Sequence, residues 1–502
     1  MLRVWDAAKD CELFGIASYF ILVVCPCRMP AMRRIISSLD AASWRLLAML
    51  HAMIFVLFHA VVLSLGLRFE MAPLGMFAHY ADPVLLRTRL LESVFYLHVQ
   101  PPLYNLALGV VLKLFPGHEA PVFHVLFLIN GLALYLLVTL LQTRLGVRKS
   151  VALLTSTLFV LSPTYLVFEH VLVYTLQCAL LLVIAALMLE SYVRTRRSAY
   201  GWGFFVSLFL LCGIRSMYHL GFYVLAACAV GAVMRRDWRR VFWMALIPGL
   251  VLFSFYAKNY VLFDKFSVFS FLGKSPWIKT VGNLPWEERV RLADEGKISK
   301  VSLVERFYAV EYYPPEIRDI PGYENIPVLR QTTKSTGEVN YNHLSQIAVS
   351  DIYMKDALYV IRARPKLFLC TTAWAGLTYF SPMPLTTPRL QWLVRAYDLL
   401  TLKINTPVSR WVPQLGASRH VPYLTLLVGM PLLMVYGCWI GLRSHSPARR
   451  ATLLFMAFTI LYVTALSIII ELAETNRYRF EIDPFLIAFL GLIAGGKRAP
   501  DA

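Results

Sequence analysis

The fold class predicted by this sequence is all-α: a polytopic membrane protein with about 10–13 membrane helices, each needing ~20 apolar residues to cross a bilayer, and a polar domain of helices and loops on the external side. Three observations predict it. Of the 502 residues 58% are hydrophobic and 16% charged, with a mean hydropathy of +0.59, whereas an ordinary globular chain carries about 25% charge. The apolar residues are gathered into long runs. The 49 Lys and Arg, against 30 Asp and Glu for a net charge of +19, fall in short clusters between those runs, the distribution that holds loops on the cytoplasmic side. The charge forms no single patch and no nucleic-acid-binding motif accompanies it, so the bilayer, and no nucleic acid, is the partner implied.

Taken in order, residues 11–27 are an apolar run containing Glu12 and followed by Arg28, Arg33 and Arg34. They read as a weak extra helix, as an uncleaved signal, or as sequence upstream of a start at Met29 or Met32. Strong spans follow at 44–67, 122–141, 151–161, 171–193, 201–212, 221–234, 241–255, 423–442, 451–470 and 484–494. Basic clusters sit at Arg33/Arg34, Arg144/Arg148/Lys149, Arg194/Arg196/Arg197, Arg235/Arg236/Arg239/Arg240, Arg443/Arg449/Arg450 and Lys497/Arg498. With all of these cytoplasmic, the external segments are 68–118, 162–170, 214–220, 257–364 and 471–481. That alternation requires 101–117 not to cross. It opens with Pro101-Pro102 and is short, which suits a re-entrant or interfacial half-helix.

Residues 257–365 are the stretch that resembles soluble protein, with thirteen of the thirty acids and clusters such as Tyr312-Tyr313-Pro314-Pro315. The chain therefore divides into an N-terminal segment (1–43), a first membrane module (44–256), an external domain (257–365) and a second membrane module (366–502). Within the last, 367–380 and 390–404 read as a short hairpin or interfacial pair. The eight cysteines lie in or beside apolar runs; they imply no disulfide framework and read as small buried hydrophobes.

Chemistry is expected in the external segments. Asp82 stands just before an amphipathic stretch leading into the Pro-Pro half-helix; a carboxylate there can accept a proton from a hydroxyl, or it can cap the helix that starts at Pro83. Glu70 is its competitor in the same segment. Glu169-His170 and Tyr174 lie at the mouth of a span, where an ionisable group is costly to hold, although snorkelling to the interface is the other reading. His98 is read as a hydrogen-bonded positioning residue rather than a metal ligand. Arg477 and Arg479 are cations on the external side, against the usual bias. Their forks suit a phosphate, or they close a Glu/Arg network with Glu471 and Glu474. Lys258 and Arg215 are further external cations, Lys258 being preferred.

The order Asp82, amphipathic segment, His98-Val-Gln100-Pro-Pro-Leu-Tyr-Asn105, then Ser162-Pro163 and Glu169, resembles the GT-C glycosyltransferase superfamily, and within it the protein O-mannosyltransferases and aminoarabinose lipid A transferases. Lys258-Asn259-Tyr260 and Asn476-Arg477-Tyr478-Arg479-Phe480 are similar as well. The resemblance spans about residues 44–495 and specifies class better than substrate. It implies transfer of a sugar from a polyprenyl-phosphate donor, by inversion, to a glycan, lipid or protein acceptor. The active site would face the periplasm of a bacterial inner membrane, with Asp82 as base and Lys258, Arg477 and Arg479 on the lipid phosphate. Glu70, His98, Glu169, His170 and Tyr174 would surround the substrate. The family's second acid is replaced here by Pro83, which puts any borrowed metal site in doubt; no residue is assigned to a metal, and a divalent metal as cofactor is left open. Two other functions fit the apolar bulk: a flippase or polysaccharide transporter for lipid-linked sugars, which needs charges within its helices, and a non-catalytic membrane scaffold.

Overall fold

The computed structural model describes residues 30–401, 424–472 and 474–495. The run at 11–27 with its three cysteines, the cluster Lys497/Arg498 and the end of the 390–404 segment lie outside them. Among the described residues no β-strand forms, and two isolated bridges, Glu70 with Val171 and Thr333 with Val339, are the extent of β pairing.

Helix α1 (Pro30–Ala41) leads through Ser43, whose hydroxyl accepts from Leu46 N at 3.3 Å, into α2 (Trp44–Ser64). Four short helices then build the first polar segment: α3 (Pro73–Met76), α4 (Pro83–Thr88), α5 (Leu90–Phe95) and α6 (Pro102–Leu114). After α7 (Glu119–Arg144), the helices α8 (Lys149–Val160) and α9 (Pro163–His170) meet at a 63° bend. Ser162 caps the second of them and Pro163 cannot donate back into the first, so the break is written in the sequence. Then come α10 (Thr175–Thr195), α11 (Ser198–Ile214), α12 (Leu220–Val233) and α13 (Trp238–Phe263).

The polar layer holds α14 (Lys274–Lys279), α15 (Trp286–Asp294), α16 (Pro315–Arg318), α17 (Pro327–Arg330) and α18 (Ser345–Ala363). It has its own core, in which Trp277 stacks on Tyr353 at 4.8 Å and both are fully buried. The chain closes with α19 (Pro365–Tyr379), α20 (Gln391–Leu400), α21 (Leu424–Arg443), α22 (Pro447–Ile470) and α23 (Thr475–Gly495).

Among the described residues six helices (α2, α7, α10, α13, α21 and α22) are long and apolar enough to cross a membrane, and the bent pair α8–α9 makes a seventh if it is one span. This is a polytopic, all-α membrane protein. Fewer spans than the ten runs of the sequence pass because the runs at 201–212 and 221–234 become helices of 17 and 14 residues, the run at 151–161 ends at the bend, and the final helix carries charges in its first turns. The final helix departs in the other direction. It begins at Thr475, so Arg477 and Arg479 lie in its first turns and not in a loop before it. Helix α10 is the centre of the bundle, two-thirds buried (67%) and packed on α7, α11, α22 and α23. Its fully buried Ala179, Ala185 and Ala186 let those neighbours approach closely.

Candidate functional site

The first polar segment is pinned by its own side chains. Asn105 accepts from Ala81 N at 2.8 Å and donates to His79 O at 3.1 Å, fixing the backbone around His79 and Tyr80. Gln100 donates to Ile214 O at 2.7 Å, tying the segment to the end of α11. His98 Nε2 donates to Asn342 O at 2.9 Å and Nδ1 accepts from the Ser270 hydroxyl at 2.7 Å. Burial lowers its pKa to about 3, so the ring is neutral and acts as a strut between this segment and the polar layer.

Where that strut brings the polar layer down onto the helix ends, a cavity of about 270 Å³ remains, lined among others by His79, Tyr174, Arg215, Lys274, Arg306 and Glu471. Arg215, at the end of α11, pairs with Glu481 and lies over the rings of Tyr478 (4.2 Å) and Tyr174 (5.2 Å). Its Nη2 is buried with no hydrogen-bond partner. Lys274 donates to Gln346 Oε1 at 2.5 Å, and burial, with Arg306 adding to it, holds its pKa well below the usual lysine range. A buried ammonium of this kind is stabilised by an incoming anion. Arg306 stands 3.6 Å from Glu471, whose other oxygen accepts from Ser275 at 3.4 Å. His79 Nδ1 lies 3.0 Å from the Tyr174 hydroxyl; burial, then Arg477, Arg215 and Lys334, hold its pKa well below the usual histidine range, so it is neutral. The arrangement suits an anionic group held against aromatic and aliphatic walls, with a carboxylate at hand.

The residues expected from the sequence are distributed around this cavity rather than gathered in it. Tyr174 lines it. Arg477 stands behind, with its guanidinium over Phe77, Tyr478 and Tyr174 at 5.0, 5.5 and 5.8 Å and a contact to Glu474 at 3.2 Å. Arg479 is committed elsewhere: it donates to Tyr379 O at 2.8 Å and Ser381 O at 3.0 Å and faces Asp483. Lys258 donates to Phe95 O at 2.6 Å and Leu97 O at 3.0 Å, closing the end of α5. Glu70 accepts from Ala72 N at 2.8 Å while its backbone bridges His170 and Leu172. Glu169 and His170 are buried under the first segment, against His59.

Asp82 is a cap. It accepts from Val84 N at 2.7 Å and Leu85 N at 3.3 Å, and both its oxygens also take bonds from Ser335, the hydroxyl at 2.9 Å and the backbone N–H closer still. It does not line the cavity. The residues that sequence reasoning passed over are His79, three positions before Asp82, and Lys274 and Arg306 in the polar layer. Arg215 was noticed and ranked below Lys258. No local motif marks any of the four.

No protein-family model matches this chain, and no curated protein matches it. Among solved structures the chain is similar to a crystal structure of ArnT from Cupriavidus metallidurans bound to undecaprenyl phosphate. The identity is 15%, over 88% of this chain and 77% of that one, with a TM-score of 0.30.

Proposed function

We propose that the protein is a membrane glycosyltransferase of the GT-C kind. It would move a sugar from a polyprenyl-phosphate donor to a hydroxyl of a glycan, lipid or protein acceptor, on the periplasmic face of a bacterial inner membrane. The observation that carries this reading is the cavity at the junction of apolar helices and polar layer, where Arg215 presents a buried, unpartnered Nη2 beside Lys274 and Arg306. A lipid phosphate has the charge to meet that edge and the apolar tail to leave between helices. The motif resemblance around His98 to Asn105 supports the same class.

In this mechanism the acceptor oxygen attacks the anomeric carbon from the face opposite the lipid phosphate. The C–O bond to phosphate breaks as the new glycosidic bond forms. Arg215 and Lys274 stabilise the charge that develops on the departing phosphate. The acceptor proton passes to Glu471, the carboxylate among the described lining residues. Asp82 serves by holding the segment that carries His79.

The test is release of lipid phosphate from a labelled polyprenyl-phosphate sugar by the purified protein in detergent. Arg215→Lys and Lys274→Gln should each weaken donor use about tenfold or more, since a charge-assisted hydrogen bond contributes roughly 1.5–3 kcal/mol. Glu471→Gln should bind donor and lose ~10²-fold in transfer. Normal turnover in all three variants would move the site elsewhere. Passage of intact lipid-linked sugar across vesicles, with no cleavage, would make the protein a transporter.

A further inference from the structure

A second buried cluster lies where α2, α7 and the end of α9 meet, and none of its members lines the cavity. His59 and His170 use Nδ1 in the same way, at 2.8 Å from Phe55 O and 3.1 Å from Leu166 O, each one turn earlier in its own helix. A carbonyl only accepts, so both rings carry a proton on Nδ1, and Nε2 is a lone pair when the ring is neutral. The Nε2 of His59 nevertheless lies in close contact with Glu169 Oε2, a second acceptor. The Nε2 of His170, Oε1 of Glu169 and Nε2 of His124 are buried with no partner at all. A proton bridges these two atoms in the closed pair, and a metal ion can take its place only if His59 and Glu169 draw apart to the spacing of two ligands. His51, two turns earlier in α2, provides the contrast: its Nδ1 also meets a carbonyl, but its Nε2 finds a donor, the Thr139 hydroxyl, at 2.8 Å.

The surroundings are shaped for such a group. One ligand atom each from His59, Glu169 and His170 lies within 4.8 Å of the others, His170 presenting Nδ1 at 3.9 Å from Glu169 Oε2. The His59 and His170 rings stack at 5.7 Å, and His124 is 5.3 Å from His170. On α7, a Cβ at Gly131 would stand 1.8 Å from Glu169 Oε1, so the carboxylate occupies the room that a side chain there would fill.

We propose that His59, Glu169 and His170 bind one divalent metal ion of the zinc class as its three protein ligands. Imidazole nitrogens with a single carboxylate suit zinc, whereas magnesium and calcium select oxygen. The backbone carbonyls that hold Nδ1 on His59 and His170 orient the rings as ligands. The metal would tie α2 and α9 together directly beneath the first polar segment, since Glu70 N donates to His170 O at 2.7 Å. A proton shared between His59 and Glu169 is the alternative source of positive charge.

The full-length chain, purified in detergent through a tag without histidine from zinc-supplemented cells, should contain about one zinc per chain by elemental analysis. His59→Ala and His170→Ala should each lower that content about tenfold or more, as expected when a ligand is removed. His445→Ala, an exposed histidine on another loop, should leave it unchanged. If the site variants fail to fold, the wild-type chain still decides. After growth in cobalt it should show the strong visible absorption of a four-coordinate ion, and zinc added to metal-depleted protein should raise its melting temperature. Zinc below ~0.1 equivalent, no cobalt spectrum and no thermal response would overturn the proposal and leave the shared proton.

Discussion

At the scale of single residues, the first polar segment is held by buried polar groups whose partners are now known. Asp82→Asn separates capping from catalysis. Asparagine keeps an oxygen for Val84 N and Leu85 N, but its amide N–H₂ then faces the Ser335 backbone N–H, donor against donor. The expected outcome is a loss of roughly 1–3 kcal/mol of stability, with turnover per folded molecule little changed; a normal melting temperature with transfer abolished would restore Asp82 as the base. His98 gives a pH test. Its folded pKa of about 3 lies below the ordinary 6.5. Between those values the unfolded chain takes up a proton that the folded chain refuses, so stability falls as pH drops below 6.5 and levels off near 3. His343, lowered by burial to about 4, acts in the same direction. Melting curves between pH 7 and 5 should therefore slope less in His98→Gln than in the parent protein, and equal slopes would show that His98 is not the titrating strut.

At the scale of elements, the polar layer depends on one close approach. Gly273, just before α14, stands where a Cβ would meet the Ser350 backbone oxygen of α18 at 1.7 Å, and Gly273 N donates to the Ser350 hydroxyl at 3.0 Å. A methyl group there pushes backbone against backbone, which no rotamer change relieves. Gly273→Ala should cost about 1–3 kcal/mol, read as a lower melting temperature and faster proteolysis within 264–363 while the membrane helices stay intact. Parent-like behaviour would mean that the two elements separate freely. The elements themselves were legible in the sequence where apolar length defines them. Helices α2, α7, α10 and α22 follow runs that only a bilayer accommodates, and the Pro-Pro start marks where the short helix α6 begins. The first turns of α23 were not legible, because Arg477, Arg479, Glu481 and Asp483 look like a solvated turn. In the fold all but Asp483 are buried: Arg477 pairs with Glu474, Arg479 with Asp483 and the Tyr379 carbonyl of α19, and Glu481 with Arg215 just beyond α11. The cavity was illegible for a related reason. Arg215 meets Glu481 across more than half of the chain, and Lys274 and Arg306 arrive from a layer with no motif, so only the assembled fold brings these charges together.

At the scale of the whole molecule, the structure has two poles, and the proposed orientation in the membrane follows from them. One pole gathers the end of α11 at Arg215, the start of α10 at Tyr174, the end of α22 at Glu471 and the start of α23 at Tyr478 around a single cavity. The opposite ends of the same helices are brought together as well: Arg148 N donates to Gly495 O at 3.2 Å, Lys149 donates to Ala42 O at 2.5 Å, Arg196 meets Asp237 at 3.2 Å, and the Arg449 guanidinium lies beside Gly146. The basic clusters that the sequence scatters over three hundred residues thus share one face, as the positive-inside rule requires of cytoplasmic loops. The alternation requires that α6, a helix of 13 residues behind Pro101, not cross the membrane. Reporter fusions after residues 146, 196, 238 and 446 should therefore all report cytoplasm, and fusions within 257–364 should report the outside. The four positions are coupled by packing, so they must agree. An outside signal at 146 alone would require α6 to cross the membrane and would separate Gly146 from Arg449, breaking the basic pole; that single result would overturn both the topology and the placing of the cavity on the periplasmic side.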